Sequence, residues 1–270
     1  MLGPRLRSWL ALPLTAGRSV DDPATTELRR SIIRGRAPLF AIYRDWYREI
    51  VGRLPGGSQP VLELGSGGGF LHEALPDLIT SDVLRLTDLD VVLDATHLPF
   101  ADNSLRGIVM VNVFHHLMSP RRFLSEAARC IVPLGTICMV EPWATQWSRR
   151  VYALHSEPFD PGVAAWDPCP GGPLSGGNGA LPWVVFRRDR ATLEAEFPGW
   201  ELAEVHPIMP FRYLLSGGVS MRQLAPSWAF PPLAALEQLV QPLRHYLAMF
   251  AVILLRRRES PERHSGKANA

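Results

Sequence analysis

Short apolar runs alternate with helix-forming segments between residues 61 and 143, and this alternation constrains the fold more than any other feature. The runs VLEL, LITSDV, DVVLDA, LRGIVMVNVF and GTICMVEPW indicate strands, and FLHEALP and SPRRFLSEAARCI indicate helices between them. Continuous apolar strands that alternate with helices predict an α/β fold with a doubly wound, mostly parallel sheet. In such a sheet, ligands bind at the carboxyl ends of the strands.

Segments on both sides of this core add further elements. Apolar residues at helical spacing from 24 to 54, interrupted between Gly35 and Pro38, predict two N-terminal helices. After the core, WVVF and MFAVILLRRR predict two strands, and DRATLEAEF and PLAALEQLVQPLRHYL predict helices. We therefore expect a helical extension over 1–54, a core domain over 55–257 with a C-terminal substrate-side insertion at 143–245, and a disordered tail over 258–270.

One segment within the insertion is rich in proline and glycine. It covers 167–182, DPCPGGPLSGGNGALP, and is too long for an ordinary connection. Long loops of this kind are usually lids or linkers, so this segment is a candidate lid.

Charge and cysteine content exclude several classes of function. The 28 basic and 26 acidic residues give a net charge of +2, which predicts no nucleic-acid partner. Cys130, Cys138 and Cys169 form no CxxC pair, so we expect neither a disulfide framework nor a metal site, and we expect a cytoplasmic protein. The N-terminal stretch MLGPRLRSWLALPLTAGRS is interrupted at Pro13, which favours an amphipathic segment with weak peripheral membrane contact over a signal peptide.

The stretch VLELGSGGGF contains a glycine loop directly after the first predicted strand. A dinucleotide fingerprint would need a third glycine where Phe70 stands, whereas Glu63 lies two residues before a GxGxG pattern. A pyrophosphate needs helix-terminal amides, and a cationic amino-acid cofactor benefits from a nearby carboxylate. The loop therefore favours the second kind of ligand, and an NAD-dependent oxidoreductase is the weaker alternative.

In order along the chain, these motifs resemble those of the Rossmann-like (class I) S-adenosylmethionine-dependent methyltransferases, and the type 11 group in particular. The resemblance covers about 61–143, through VLELGSGGG, TSDV, LDATHLPFADNSL, VNVFHHL and EAARCIVPLGTICMVEP. It implies a seven-stranded sheet whose last strand, MFAVILLRRR, runs antiparallel to the others, and S-adenosylmethionine as the cofactor.

The resemblance also implies which residues bind that cofactor, all of them at or beside the ends of predicted strands. They are Glu63, Gly65, Ser66, Gly67 and Gly69 around its amino-acid and ribose portions, Asp82 at the ribose, Asp94 and Ala95 at the adenine, and Asn112 at the methionine end. The glycines would leave room that a side chain would otherwise occupy.

Two positions depart from the family's pattern. Only 11 residues separate Asp82 from Asp94, so the helix usual there is missing or reduced to a turn, and Asp88 or Asp90 could bind the ribose instead of Asp82. The usual glycine pair before the fifth strand appears as PLGT, and a turn through Gly135 alone should suffice.

The candidates for proton removal from an acceptor are His115, His116 and Glu141. Histidine titrates near neutral pH, and both histidines follow a strand end. The same pair can equally be a packing feature.

Two further groups have open roles in acceptor binding. Four tryptophans, at 143, 147, 166 and 183, either line an apolar substrate pocket or pack in the core. The basic stretch FRRDR, 186–190, either holds an anionic substrate or is the solvated start of a helix.

The resemblance as a whole implies methyl transfer to a small-molecule, lipid-linked or sugar-linked acceptor. A cofactor-binding but catalytically silent partner subunit is the alternative from another class. A nucleic-acid methyltransferase is disfavoured because NVFH stands at 112–115, where amino-methylating enzymes have an NPPY-type motif.

Overall fold

A computed structural model describes residues 9–153, 157–166 and 171–259. Its strands are β1 (Val61–Leu64), β2 (Leu78–Asp82), β3 (Val91–Val92), β4 (Leu105–Val111), β5 (Ile131–Pro142), β6 (Trp200–Ile208) and β7 (Phe250–Arg257). Its α-helices are α1 (Pro23–Gly35), α2 (Ala37–Val51), α3 (Pro120–Cys130), α4 (Gln146–Tyr152), α5 (Leu181–Trp183), α6 (Arg190–Glu196), α7 (Arg212–Ser216), α8 (Phe230–Leu239) and α9 (Arg244–Leu247). Single 3₁₀ turns cover Leu71–Glu73, Phe114–His116, Ser227–Ala229 and Gln241–Leu243, and a π-helical turn covers Val184–Arg188.

The strands form a seven-stranded sheet in the order β3-β2-β1-β4-β5-β7-β6. The first five pair in parallel, and β7 runs antiparallel to both β5 and β6. This confirms the predicted Rossmann-like, doubly wound α/β fold with an antiparallel last strand. Because the chain order reverses between β1 and β4, the carboxyl ends of these two strands border a crevice where a ligand can bind.

The core lies on both faces of the sheet, as continuous apolar strands require. In β1 and β4, Leu62 and Ile108 pack into one apolar cluster, and Val61 and Val109 pack into the other. Successive side chains of a strand point to opposite faces, so a strand covered on both sides must be apolar at every position.

The two predicted N-terminal helices are present and cover one face of the sheet. Asp22 caps α1 by accepting a hydrogen bond from the Ala24 amide, and Pro23 occupies its first turn. Helix α2 buries Leu39, Ile42 and Trp46 in the cluster that contains Val109. Their spacing of three and four residues places them on one helical face.

The sequence misplaced the sixth strand. The predicted strand WVVF is helical, because Val184, Val185 and Phe186 are buried on all sides and this tertiary burial overrides the strand preference of valine. The sixth strand is β6, WELAEVHPI, which lies at the edge of the sheet and pairs with β7. Its charged residues broke the apolar pattern that the other strands show.

Two predicted helices are also shorter than expected. FLHEALP forms only the turn Leu71–Glu73, since Pro76 disfavours helical geometry at the residue before it. The predicted helix from 232 to 247 is divided between α8 and α9 by a 3₁₀ turn that contains Pro242, which has no amide hydrogen to donate.

Some expectations concern residues outside the described ranges. Cys169, the first eight residues of the N-terminal segment and the tail from 260 onward are among them. The proposed division into extension, domain and tail stays a prediction. No helix in the described ranges has both the length and the apolar character needed to cross a lipid bilayer.

The first residues of β5, where its pairing with β4 shifts register, differ from the expectation of a turn through Gly135 alone. Leu134 itself adopts a left-handed conformation, with φ of 66°, and its side chain is 50% exposed. Gly135 is also required, because a Cβ there would lie 2.7 Å from the carbonyl oxygen of Arg106. A left-handed leucine costs about 1–2 kcal/mol.

We expect Leu134→Gly to be more stable than Leu134→Ala by about 1 kcal/mol. Both variants lose the leucine side chain, but only glycine adopts the positive φ without strain. Urea unfolding of the two variants measures the difference. At Leu236, an exposed position inside α8, the order should reverse because glycine weakens a helix relative to alanine. If Leu134→Ala were more stable than Leu134→Gly, the inference that the backbone is strained at residue 134 would be wrong.

Candidate functional site

A cavity of about 290 Å³ lies at the carboxyl ends of β1, β2 and β4. All the cofactor residues expected from the sequence line it: Glu63, Gly65, Ser66, Gly67, Gly69, Asp82, Asp94, Ala95 and Asn112. The parallel strands bring together residues that are up to 49 positions apart in the chain.

The glycines of the loop after β1 are required by the protein's own packing. A Cβ on Gly65 would lie 2.3 Å from a methyl carbon of Val113, and a Cβ on Gly69 would lie 2.7 Å from the Tyr47 hydroxyl. Gly65 and Gly67 also have positive φ, of 66° and 39°. Packing within the protein therefore explains Gly65 and Gly69 without the room for a ligand that the sequence analysis gave as the reason.

Glu63 is a buried acid beneath this loop. Its Oε2 accepts a hydrogen bond of 2.7 Å from the Ser66 hydroxyl, whose oxygen accepts one from the Ser81 amide. Burial raises the pKa of Glu63 to about 7; the Ser66 hydrogen bond opposes this rise and the charge of Asp82 adds to it. A cation placed nearby would favour the ionised form.

The raised pKa of Glu63 predicts a pH-dependent stability that Glu63→Gln removes. The folded state holds this proton up to about pH 7, whereas the unfolded carboxyl loses it near pH 4.5. Its stabilising contribution is thus complete below pH 4.5 and is lost as the pH rises through 7, an effect of at most about 3 kcal/mol.

We therefore expect the unfolding free energy of Glu63→Gln, relative to the parent, to increase between pH 5 and pH 8. Urea unfolding at both pH values measures it. Glu201→Gln, at a half-exposed position, is the matched control and should follow the parent. If the unfolding free energies of Glu63→Gln and the parent changed equally between pH 5 and pH 8, the pKa of Glu63 would not be raised.

Asp82, the last residue of β2, lines the cavity. Its Oδ2 accepts from the Gly67 amide at 3.1 Å and its Oδ1 from the Leu84 amide at 2.9 Å, and burial raises its pKa. Asp90 instead accepts two hydrogen bonds from Thr80, and the side chain of Asp88 is 89% exposed. Neither of these alternatives lines the cavity.

The ends of β3 and β4 complete this side of the cavity. Asp94 accepts a hydrogen bond from the Thr96 amide at 2.8 Å, which forms a tight turn and leaves acceptor positions on the carboxylate. Asn112 directly follows β4 and has a φ of 57°, a conformation that asparagine tolerates better than most residues. Its backbone amide donates to the Val140 carbonyl.

Glu141, on β5, holds the turn that follows β4. Its side chain is fully buried, and its two oxygens accept hydrogen bonds from the amides of Val113 and Phe114 and pair with His115 Nδ1, at 2.7–2.8 Å. His115 lines the cavity and Glu141 does not. This arrangement gives Glu141 a positioning role. Its carboxylate holds the Nδ1 proton of His115, which leaves Nε2 of the same ring free to accept a proton.

His116 differs from His115 in its surroundings. Burial, the neighbouring His115 and Arg29 lower its pKa to about 2, and its Nδ1 has no hydrogen-bond partner among the described residues. His116 is therefore neutral at physiological pH and is a weak base. Its expected catalytic role, like that of His115, stays a prediction, and the geometry favours His115.

Aromatic side chains form the apolar wall of the cavity. Tyr152 stacks on Phe159 with ring centroids 4.4 Å apart, and Tyr213 contacts Phe250 at 4.8 Å. Tyr43 lies in the same wall, and burial raises its pKa to about 12, so its hydroxyl stays neutral. These residues come from distant segments, so no local pattern could have grouped them.

The tryptophans and the FRRDR stretch do not contribute to this wall. All four tryptophans pack in the two core clusters, which confirms the packing interpretation. Arg188 pairs with Asp189 and donates to the carbonyl oxygens of Pro161 and Val163, away from the cavity. The expectation of an anion site in this stretch therefore has no support.

The described part of the candidate lid, 171–182, covers the cavity. Pro173, Leu174 and Gly179 line it, and the Asn178 amide donates to the His115 carbonyl. Asp21, just before α1, accepts hydrogen bonds from the amides of Leu174 and Ser175 and from the Ser175 hydroxyl, at 2.6–3.1 Å. Burial raises the pKa of Asp21, but these hydrogen bonds outweigh it and the net pKa is lowered.

We expect Asp21→Ala to expose this segment to proteolysis. The variant loses hydrogen bonds worth about 1 kcal/mol in total, so the segment 171–182 should open about fivefold more often at neutral pH. Cleavage by thermolysin at Leu174 should increase by the same factor. Mass spectrometry of early fragments measures the rate. Asp88→Ala, at an exposed position, should leave the rate unchanged, and an equal rate for Asp21→Ala would show that Asp21 does not hold the segment.

Comparison with known proteins agrees with this geometry. Residues 62–139 match the family model described as a methyltransferase domain. This segment belongs to the methyltransferase domain family. Members of this family typically use S-adenosylmethionine.

A demethylmenaquinone methyltransferase of Renibacterium salmoninarum is 30% identical to this chain over 115 aligned positions, which cover 36% of this chain. The match spans about half, 48%, of that relative's length.

Two solved structures share the fold. One is the complex between the Haloferax volcanii Trm112 methyltransferase activator and a methyltransferase, with a TM-score of 0.50, 16% identity, and coverage of 90% of this chain and 100% of that chain. The other is geranyl diphosphate C-methyltransferase from Streptomyces coelicolor A3(2), with a TM-score of 0.50, 11% identity, and coverage of 90% and 82%. At these identities the likeness concerns the fold of the methyltransferase domain.

Proposed function

We propose that the protein transfers the methyl group of S-adenosylmethionine to a small-molecule acceptor, a class that includes lipid-linked and sugar-linked molecules. The observation that supports this most is the convergence of Glu63, the glycine loop, Asp82, Asp94 and Asn112 on one cavity. Glu63 and Asp82 lie at the ends of β1 and β2, and the glycine loop, Asp94 and Asn112 lie in the connections after β1, β3 and β4.

The chemistry of these residues fits the parts of the cofactor. Asp82 has acceptor positions beyond the two amides it already binds, so it can accept from the hydroxyls of a ribose. Asp94 can accept from the exocyclic amine of adenine. Glu63, with its raised pKa, would become ionised next to the ammonium group of the amino-acid portion.

The structure offers less to a dinucleotide. The glycine loop leads into the single 3₁₀ turn Leu71–Glu73 instead of a helix. A pyrophosphate binds the aligned amides and dipole of a helix N-terminus, which a three-residue turn does not supply. This disfavours the NAD-dependent alternative for a reason independent of Phe70.

When bound, the cofactor supplies a methyl group on a positively charged sulfur, ready for in-line displacement. The chain's own residues orient the acceptor, and the segment 171–182 excludes water from the cavity. His115 can accept a proton from the acceptor at Nε2. Glu141, hydrogen-bonded to Nδ1, would keep the ring in position and stabilise the imidazolium that forms.

The aromatic wall supports an acceptor with an apolar body. Tyr43, Tyr152, Phe159 and Tyr213 present ring surface to the cavity. The name of the relative from Renibacterium salmoninarum, demethylmenaquinone methyltransferase, is compatible with an acceptor of this kind.

We expect calorimetry to show binding of S-adenosylmethionine and of S-adenosylhomocysteine to the parent protein. Asp94→Ala should weaken both by about 10- to 100-fold, because a charge-assisted hydrogen bond to the adenine is lost. Asp88→Ala, a matched aspartate on the neighbouring loop, should bind like the parent.

Two other outcomes of this experiment are informative. If neither compound binds the parent, the proposed function is wrong. If both bind but no acceptor from a metabolite extract gains 14 daltons, the mass of the added CH₂, the catalytically silent alternative is favoured.

A further inference from the structure

Three polar side-chain atoms around one end of the cavity have no hydrogen-bond partner among the described residues. They are Thr26 Oγ1, Arg29 Nε and His116 Nδ1, and each belongs to a residue that lines the cavity. Buried polar atoms are nearly always paired, so such exceptions call for an explanation, and a ligand is one. Thr26 and Arg29 are three residues apart on α1 and so lie on the same face of the helix.

The charge of Arg29 makes this end of the cavity unusual. Its neighbours on α1 have acidic partners, Glu27 and Asp88 for Arg30 and Glu73 for Arg34. No carboxylate of the described residues forms an ion pair with Arg29. A guanidinium keeps its charge at all physiological pH values, so an anion that enters the cavity would meet a cation without an acidic partner.

The position of Arg29 within the cavity follows from the groups that its charge affects. Burial raises the pKa of Tyr43 and Tyr213, and the charge of Arg29 opposes that rise. It also adds to the effect of burial in lowering the pKa of His116. The charge of Arg29 therefore acts on the aromatic wall and on His116, and the residues it affects line the cavity.

We propose that Arg29, together with the hydroxyl of Thr26, binds a carboxylate or phosphate group at this end of the cavity. The inference rests on the proposed function, because two molecules of the reaction can supply such a group. One is an acidic acceptor, and the other is the cofactor through the carboxylate of its amino-acid portion. A guanidinium binds either anion with two parallel hydrogen bonds, and a hydroxyl on the same helical face adds a third donor.

Arg29→Met tests the anion site, with Arg34→Met on the same helix as the matched control and Arg29→Lys to restore the charge. Calorimetry uses three probes: methylthioadenosine, which lacks the carboxylate; S-adenosylhomocysteine, which has it; and benzoate added to protein saturated with S-adenosylhomocysteine. Benzoate combines a carboxylate with a ring that suits the aromatic wall.

Two results support the proposal and distinguish the sources of the anion. If the anion is the cofactor's carboxylate, Arg29→Met weakens the binding of S-adenosylhomocysteine by 10-fold or more, and its affinity for methylthioadenosine stays within twofold of the parent's. If it is the acceptor's, Arg29→Met leaves both nucleosides unchanged and weakens benzoate by 10-fold or more. In either case Arg29→Lys recovers part of the loss, and Arg34→Met behaves like the parent.

Thermal unfolding without ligand gives an independent measurement. Because an unpaired charge is removed, the melting temperature of Arg29→Met should be equal to or above that of the parent, whereas a merely structural arginine would lower it on removal. The proposal is overturned if S-adenosylhomocysteine binds within twofold of the parent and no binding of benzoate depends on Arg29. Failure of the parent to bind either nucleoside would instead overturn the proposed function.

Discussion

Hydrogen bonds to buried carboxylates at the strand ends hold the loops that shape the cavity. Glu141 binds two backbone amides and the ring of His115, Asp82 binds the amides of Gly67 and Leu84, and Glu63 binds the hydroxyl of Ser66. Hydrogen bonds to charged groups are stronger than neutral ones, and a low-dielectric surrounding strengthens them further. Since each acid sits on a strand of the sheet, the loops share the rigidity of the sheet.

The N-terminal helices form part of the site rather than an appendage to it. Arg30 donates a hydrogen bond of 2.9 Å to the Gly67 carbonyl, and a Cβ on Gly68 would lie 3.0 Å from the Arg30 backbone nitrogen. This close packing of α1 on the glycine loop brings Thr26 and Arg29 to the cavity. Asp21, just before α1, also holds the segment 171–182, so one short region before and within α1 contacts both the glycine loop and the candidate lid.

The strengths and failures of the sequence predictions have a common physical cause. Strands β1, β2, β4, β5 and β7 were predicted because burial on both faces makes every position apolar. Strand β6 was missed because an edge strand is partly exposed, which permits Glu201 and Glu204 to interrupt the pattern. Val184 and Val185 were misread as a strand because their apolar character reports burial but does not distinguish a buried strand from a buried helix.

The sequence by itself determined the Rossmann-like fold class and the nine residues at the strand ends, because a parallel sheet brings its carboxyl ends to one edge whatever the details of packing. Only the tertiary structure decided that Asp82, and neither Asp88 nor Asp90, faces the cavity, and that Glu141 pairs with His115 and does not line the cavity itself. The tertiary structure alone also showed that the aromatic wall and Arg29 line the same cavity. These side chains belong to segments separated by long stretches of chain, and their proximity depends on how helices pack on the sheet, which no local pattern of residues encodes.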